Sequence, residues 1–250
     1  MRLADPELEY HQKLYSGAAQ RLFAERAVRS FRAHLAGRIL RHTGAGAQSR
    51  VLSLGCGIAD TELLLAPHVQ EVVGLDISPN AIQQATSDAQ KLGLRNTTFL
   101  EGAVEQVAGR QFDVVLAIFF LHHLLSDDFR AVPRQVRALL RPGGVFYSLD
   151  PSCRRLSGKV GAILVPHLLK KYQSPQERQL DPTATAEAFR SAGFDAAESM
   201  YDFLSTPVAG LFPRWRAGYR IARQLDEVLI RIPLLRDWGS NFEVLARRRD

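Results

Sequence analysis

Val51-Leu-Ser-Leu-Gly55-Cys-Gly57-Ile-Ala-Asp60, followed by Val72-Val-Gly-Leu-Asp76-Ile-Ser78, decides the fold. The first stretch reads as an apolar strand, a Gly-x-Gly turn and the start of a helix; the second reads as an apolar strand ending in a carboxylate. Glycine is needed at the turn because the backbone must bend sharply and admit a ligand with no Cβ in the way. At the tip of its strand, Asp76 is placed to accept hydrogen bonds from the two hydroxyls of a ribose. Together the parts make a nucleoside-binding half of a doubly wound sheet. A third glycine in the dinucleotide spacing is absent, since Asp60 stands at that position. The ligand expected is therefore not a pyrophosphate.

Four further segments follow in order: Phe99-Leu-Glu-Gly-Ala-Val104, Phe112-Asp-Val-Val-Leu-Ala117, Ile118-Phe-Phe-Leu-His-His-Leu124 and Leu139-Leu-Arg-Pro-Gly-Gly144. In this order and spacing the chain resembles the class I S-adenosylmethionine-dependent methyltransferases, and most closely their small-molecule branch of the ubiquinone and menaquinone biosynthesis type. The resemblance covers residues 51 to 150. It implies an α/β fold: a Rossmann-like, doubly wound, mainly parallel sheet with helices on both faces. The expected organisation is an N-terminal helical cap over 1–46 and a methyltransferase domain over 47–250, with substrate-facing helical insertions at 151–181 and 205–239.

The cofactor implied is S-adenosyl-L-methionine, with S-adenosyl-L-homocysteine as product. By the same resemblance Ser53, Gly55, Cys56, Gly57 and Asp60 would surround its methionine part. Asp76 would hold the ribose, Ile77 would lie on the adenine face, Ala103 and the backbone N–H of Val104 would meet the adenine edge, and Ala117 would line the pocket. Two positions depart from the family pattern. Ser53 stands where an acidic residue often helps hold the cofactor's amino group, and Ala103 where an aspartate often touches the adenine amino group.

His122, His123 and Asp150 are the catalytic candidates. A histidine with near-neutral pKa can take a proton from an attacking hydroxyl, and a strand-tip carboxylate can orient a substrate. The bland alternative is that the rings brace a helix start and the aspartate caps a strand end. Ile118, Phe119, Phe120 and Trp215, with Tyr10 and Tyr15 on the first helix, are candidates for an acceptor pocket or, equally, for core. The function expected is in-line methyl transfer to a small, apolar or aromatic acceptor, with oxygen favoured over nitrogen or carbon. Its rivals are a non-catalytic binding protein and a relative that turns the cofactor to other chemistry.

Composition fits a globular domain: 250 residues with a formal net charge of +6 and 46% hydrophobic content. The basic residues are 27 arginines and 5 lysines, a skew that a GC-rich coding background produces as readily as selection for anions. Arg214-Trp-Arg-Ala-Gly-Tyr-Arg220-Ile-Ala-Arg223 fits a salt-bridged, solvated helix or a weak contact with an anionic membrane surface. The polar-Pro-Pro-aromatic signature of nucleic-acid amino-methyltransferases is missing after Ala117, so no specific nucleic-acid partner is expected. Cys56 and Cys153 suggest neither a disulfide framework nor a metal site. The start carries no signal-peptide hydrophobic region, and no apolar run is long enough to span a bilayer; the expected location is the cytoplasm.

Overall fold

A computed structural model describes residue 22, residues 24–156 and residues 178–250. Seven strands form one sheet in the order β3-β2-β1-β4-β5-β7-β6. They are β1 (Arg50–Leu54), β2 (Glu71–Asp76), β3 (Thr97–Glu101), β4 (Phe112–Ile118), β5 (Leu140–Pro151), β6 (Phe194–Asp202) and β7 (Asn241–Arg248). β7 runs antiparallel to both β5 and β6, and the other pairings are parallel. The strand order reverses between β1 and β4. Leu54 is the Cα partner of Ala117 on one side and of Leu75 on the other, so the glycine turn emerges at that switch point. Ligands of open α/β sheets bind in the crevice at such a point.

Among the described residues the helices are α1 (Arg26–Thr43), α2 (Glu62–Leu65), α3 (Pro79–Lys91), α4 (Ser126–Leu139), α5 (Pro182–Ser191), α6 (Ser205–Leu211) and α7 (Arg216–Leu229). The strands' alternation feeds two cores. Leu52, Leu54 and Phe146 face α4 and α5, whereas Val51, Tyr147 and Leu149 face α1. α1 is thus a layer of the domain, carrying Phe31, Leu35 and Ile39 at helical spacing into the second core. Arg38 anchors it: its Nε donates to Glu243 Oε2 at 2.8 Å, and Glu243 also accepts from Tyr147 Oη at 2.8 Å and Ser199 Oγ at 2.7 Å. Burial alone would raise the Glu243 carboxyl, but Arg38, Ser199 and Tyr147 outweigh it and hold it below the ordinary range.

Local chemistry sets the boundaries. Ser78 accepts the Ala81 N–H and Pro79 occupies the first turn of α3; Asp181 and Pro182 do the same for α5, whose cap accepts from Ala184. The helical insertion expected over 205–239 is divided: α6 ends at Leu211, α7 is preceded by Pro213 and Trp215 and ends before Pro233, which keeps the residue ahead of it out of helix, and a 3-10 turn, Arg236–Trp238, follows. The helix that starts after the glycine turn is short, α2 followed by a 3-10 turn, Ala66–His68. Of Gly143 and Gly144 only the first has a positive φ, 72°. Gly144 is required for a different reason, since a Cβ there would lie 2.9 Å from the Arg141 carbonyl oxygen.

Candidate active site

The turn after β1 alternates into the left-handed region, with φ of 64° at Gly55, 53° at Gly57 and 59° at Ala59. Gly55 is obligatory on two counts, because an added Cβ would also fall 2.2 Å from the Phe120 ring. Asp76 reaches across from the tip of β2. Its Oδ2 accepts the Gly57 N–H at 2.8 Å and its Oδ1 accepts the Ser78 N–H at 2.9 Å. The carboxylate therefore ties the glycine turn to the start of α3 while remaining partly exposed. An Asp76 that could be removed at no cost to the empty protein, as its strand-tip position alone suggests, is incompatible with these two bonds.

Ser53 does not leave its place without charge. Its Oγ donates to Glu62 Oε1 at 2.6 Å, and Glu62 is 2% exposed. Burial pushes the Glu62 carboxyl up to about 7; the Ser53 hydroxyl pulls the other way, and neighbouring Asp60 adds to the rise. Sequence reading overlooked Glu62. Its signal is faint: one carboxylate in the run Thr61-Glu-Leu-Leu-Leu65, where an acidic residue at a helix start is already explained by the dipole. Asp60 pairs with Arg32 of α1 at 2.7 Å. Arg32 in turn lies 5.7 Å from the centroid of Phe119, whose φ of 51° is strained for an aromatic residue.

The candidates after β4 are divided by the sheet. Phe120 enters the core under α4, while Ile118 and Phe119 join the one under α1. Ala117 is fully buried as core beside Leu54. Their side chains therefore do not converge on one pocket: β4 ends at Ile118, and the left-handed backbone of Phe119 breaks the strand's alternation, so that Phe120 enters the opposite core. Cys56 turns away into a small cluster with Ala59, Ala85, Ala89 and Phe99, where burial pushes its thiol well up. Ile77 and Ala103 are half-buried, and Val104 begins a 3-10 turn over 104–107 with its side chain packed on the larger core. Trp215 is on the outer surface, edge-on to Phe212. Tyr10 and Tyr15 lie outside the described residues, as does most of the 151–181 insertion.

Beyond β4 and β5 the catalytic candidates do meet. His122 Nδ1 lies 2.8 Å from Asp150 Oδ1, which also accepts the His122 backbone N–H at 3.3 Å; both side chains are buried. Burial raises the Asp150 carboxyl well above its ordinary value, against the pull of the backbone N–H groups of His122, Leu121 and Phe120. The His123 ring lies against that of His122, 4.0 Å between centroids. The chain returning at Arg178 donates its N–H to the His122 carbonyl at 2.8 Å. An open cleft of about 570 Å³, lined by Arg50, Arg110, Gln135 and Leu139, is at the other, amino ends of β1 and β4 and belongs to no part of this arrangement.

The sequence matches the methyltransferase domain family over residues 52–146, the span that holds the turn, Asp76 and the His122 loop. Residues 52–146 form a methyltransferase domain, of the class I S-adenosylmethionine-dependent type. The uncharacterized methyltransferase YcgJ of Bacillus subtilis is 31% identical over 116 residues, 46% of this chain and 45% of that protein, so the chain aligns with less than half of this relative's length. A ubiquinone biosynthesis O-methyltransferase of Methylobacterium nodulans is 29% identical over 205 residues, 79% of this chain and 72% of that protein. Among solved structures, YcgJ superposes with a TM-score of 0.59 at 21% identity, covering 87% of this chain and 99% of that one. Magnesium protoporphyrin IX methyltransferase from Synechocystis, with bound S-adenosylhomocysteine, does so with a TM-score of 0.65 at 13% identity, covering 96% and 99%. These structural likenesses bear on the fold alone. For this methyltransferase the cofactor is S-adenosylmethionine, and no helix among the described residues is long and apolar enough to cross a membrane.

Proposed function

We propose that this methyltransferase transfers the sulfonium methyl group to the hydroxyl of a small aromatic acceptor of the quinol or catechol class. The observation that carries the reading is the buried His122–Asp150 pair, 2.8 Å apart at the carboxyl ends of β4 and β5. In the ionised form of Asp150, which burial disfavours and the backbone N–H groups of His122, Leu121 and Phe120 favour, Nδ1 carries the pair's proton and Nε2 keeps its lone pair. Nε2 then accepts the phenolic proton as the oxygen attacks the methyl carbon in line with the departing sulfur. Asp150 stabilises the imidazolium that forms. A phenol needs such a base at neutral pH, whereas an amine or thiolate acceptor does not. The name of the ubiquinone biosynthesis O-methyltransferase supports a hydroxyl acceptor, and that of the demethylmenaquinone methyltransferase supports the quinol class without the oxygen.

The cofactor's own charges match the groups around the turn. Asp76 accepts the ribose hydroxyls while holding the Gly57 N–H, and the left-handed turn brings backbone rather than side chains against the methionine part. Glu62, buried beneath the turn and held by Ser53, is the carboxylate placed to answer the cofactor's ammonium, in the role that Ser53 itself cannot fill. Aligning hydroxyl, methyl and sulfur in a site closed to water supplies about 7–11 kcal/mol of the barrier reduction. The test is incubation with labelled S-adenosylmethionine and a panel of catechols and quinols beside matched amines and thiols. Label transferred to a hydroxyl, and lost in His122→Gln, is the expected result. Transfer only to nitrogen or sulfur, at a rate indifferent to His122, contradicts the proposal.

A further inference from the structure

α7 is built inside out. Its inward face carries Arg223 and Asp226 together with Gly218, Tyr219 and Ala222. Both charged groups are held there by hydrogen bonds, although Arg223 Nε has no partner. Asp226 accepts the N–H groups of Phe203, Leu204 and Ser205, each at 2.9 Å, and Arg223 donates to the Tyr201 carbonyl at 3.0 Å. Its outward face carries Ile221, Leu225 and Val228, which are 55%, 49% and 60% exposed. An ordinary surface helix has the opposite pattern, with its apolar stripe against the core.

The exposure is regional. Of the fifteen exposed large hydrophobic residues among those described, eleven lie between Leu204 and Trp238, so the excess belongs to α6, α7 and their flanking turns. Scattered single apolar side chains on a surface need no explanation, but a contiguous apolar face marks an interaction site. At about 100° per residue the exposed half of α7 divides lengthwise. Ile221, Leu225 and Val228 form an apolar flank, and Arg216 and Arg220 stand beside it on a charged flank that also carries Glu227; Arg231, paired with Glu227 at 4.0 Å, and Ile232 follow in the turn beyond the helix. Trp215 and Trp238, both exposed, stand before and after the helix.

We infer that the outward face of α7 docks on an anionic lipid surface. Side chains of this kind match the layers of a bilayer's edge: aliphatic groups enter the acyl boundary, indole rings favour the headgroup level, and guanidinium groups meet lipid phosphates. Charge also argues against a second copy of the chain, because a two-fold contact would gather the arginines of both copies at one interface. The helix lies in the surface plane and does not span it. Docking is independent of which acceptor is methylated.

The experiment is flotation of the full chain with phosphatidylcholine vesicles and with vesicles carrying roughly 30% phosphatidylglycerol, enough to set up a negative surface potential. The wild-type chain is expected to float with the anionic vesicles at least tenfold more than with the neutral ones, and to be released by high salt as the charges are screened. Two double variants separate the flanks: Ile221→Glu with Val228→Glu, and Arg216→Glu with Arg220→Glu. Each should lose at least tenfold in partition while keeping the wild-type unfolding temperature and affinity for S-adenosylhomocysteine. No flotation of the wild type, or equal flotation of all three proteins, overturns the inference. So does a wild-type dimer that the apolar double variant converts to monomer, which assigns the face to a second copy. A lowered unfolding temperature in that variant also overturns it, because the face is then covered by the chain itself.

Discussion

Ser53 Oγ and Glu62 Oε1 stand 2.6 Å apart, joining the end of β1 to the first turn of α2 with a carboxylate that is 2% exposed. Nine residues separate the pair in sequence, with the whole glycine turn between them. The bond therefore closes the base of the turn, and it carries a charge to a position where β1 has none.

Glu62 makes stability depend on pH in a definite direction. Burial raises its folded-state value from 4.5 to about 7, so between those values the folded chain holds a proton that the unfolded chain has released. Stability from this group is complete below about pH 4.5 and is lost as pH rises to about 7, on the order of 3 kcal/mol in all. Denaturant melts of Glu62→Gln minus wild type should show that difference growing over this range, and a flat difference contradicts the assignment. Docking of the cofactor's ammonium favours the ionised form, so wild type should release a proton on binding near pH 6. Calorimetry in two buffers of unlike ionisation enthalpy reads that release, and Glu62→Gln should abolish it.

Gly55 and Ala59 share the left-handed backbone but should respond oppositely to one methyl group. Gly55→Ala adds a Cβ 2.2 Å from the Phe120 ring at a φ of 64°. Left-handed strain and overpacking together should cost about 2–5 kcal/mol. Ala59→Gly relieves strain of about 1–2 kcal/mol but gives up a buried methyl and adds unfolded-state entropy, each worth nearly 1 kcal/mol. Thermal melts should place it within about 1 kcal/mol of wild type. Equal losses in the two variants would mean that the turn is not left-handed at both positions.

The His122–Asp150 pair is tested by Asp150→Asn, which keeps the shape and removes the charge that fixes the tautomer. The rate constant for methyl transfer to a hydroxyl should fall by about 10²–10⁴, the usual worth of a positioned base, with KM for S-adenosylmethionine little changed. The rate constant of His122→Gln should fall by a similar factor. A fall in cofactor affinity with the rate constant for transfer unchanged would return both residues to a bracing role.

The glycine turn, Asp76 and the strands that flank them were legible in the sequence because each is a local rule: an apolar run, a residue free to take positive φ, a carboxylate at a strand tip. Ser53 was legible only as a deficit. Its compensation by Glu62 runs through space across the turn, and no spacing rule predicts it. Ile118, Phe119 and Phe120 read as one apolar patch because sequence adjacency hides which face of the sheet each side chain takes. α7 poses the reverse problem. Its periodicity is strong, but a period does not say which side faces inward, and the buried Arg223 and Asp226 invert the usual answer.

Asp76 tests the central claim most directly, because it belongs both to the ligand and to the turn. Asp76→Asn keeps an oxygen for one of the two N–H groups of Gly57 and Ser78 but loses the charge that strengthens hydrogen bonds to the ribose, each worth about 1.5–3 kcal/mol. Titration calorimetry with S-adenosylhomocysteine should show binding by the wild type, none of a nicotinamide dinucleotide, and at least a tenfold weaker affinity in a folded Asp76→Asn variant. Unchanged affinity in that variant, or a wild type that takes the dinucleotide instead, would contradict the account.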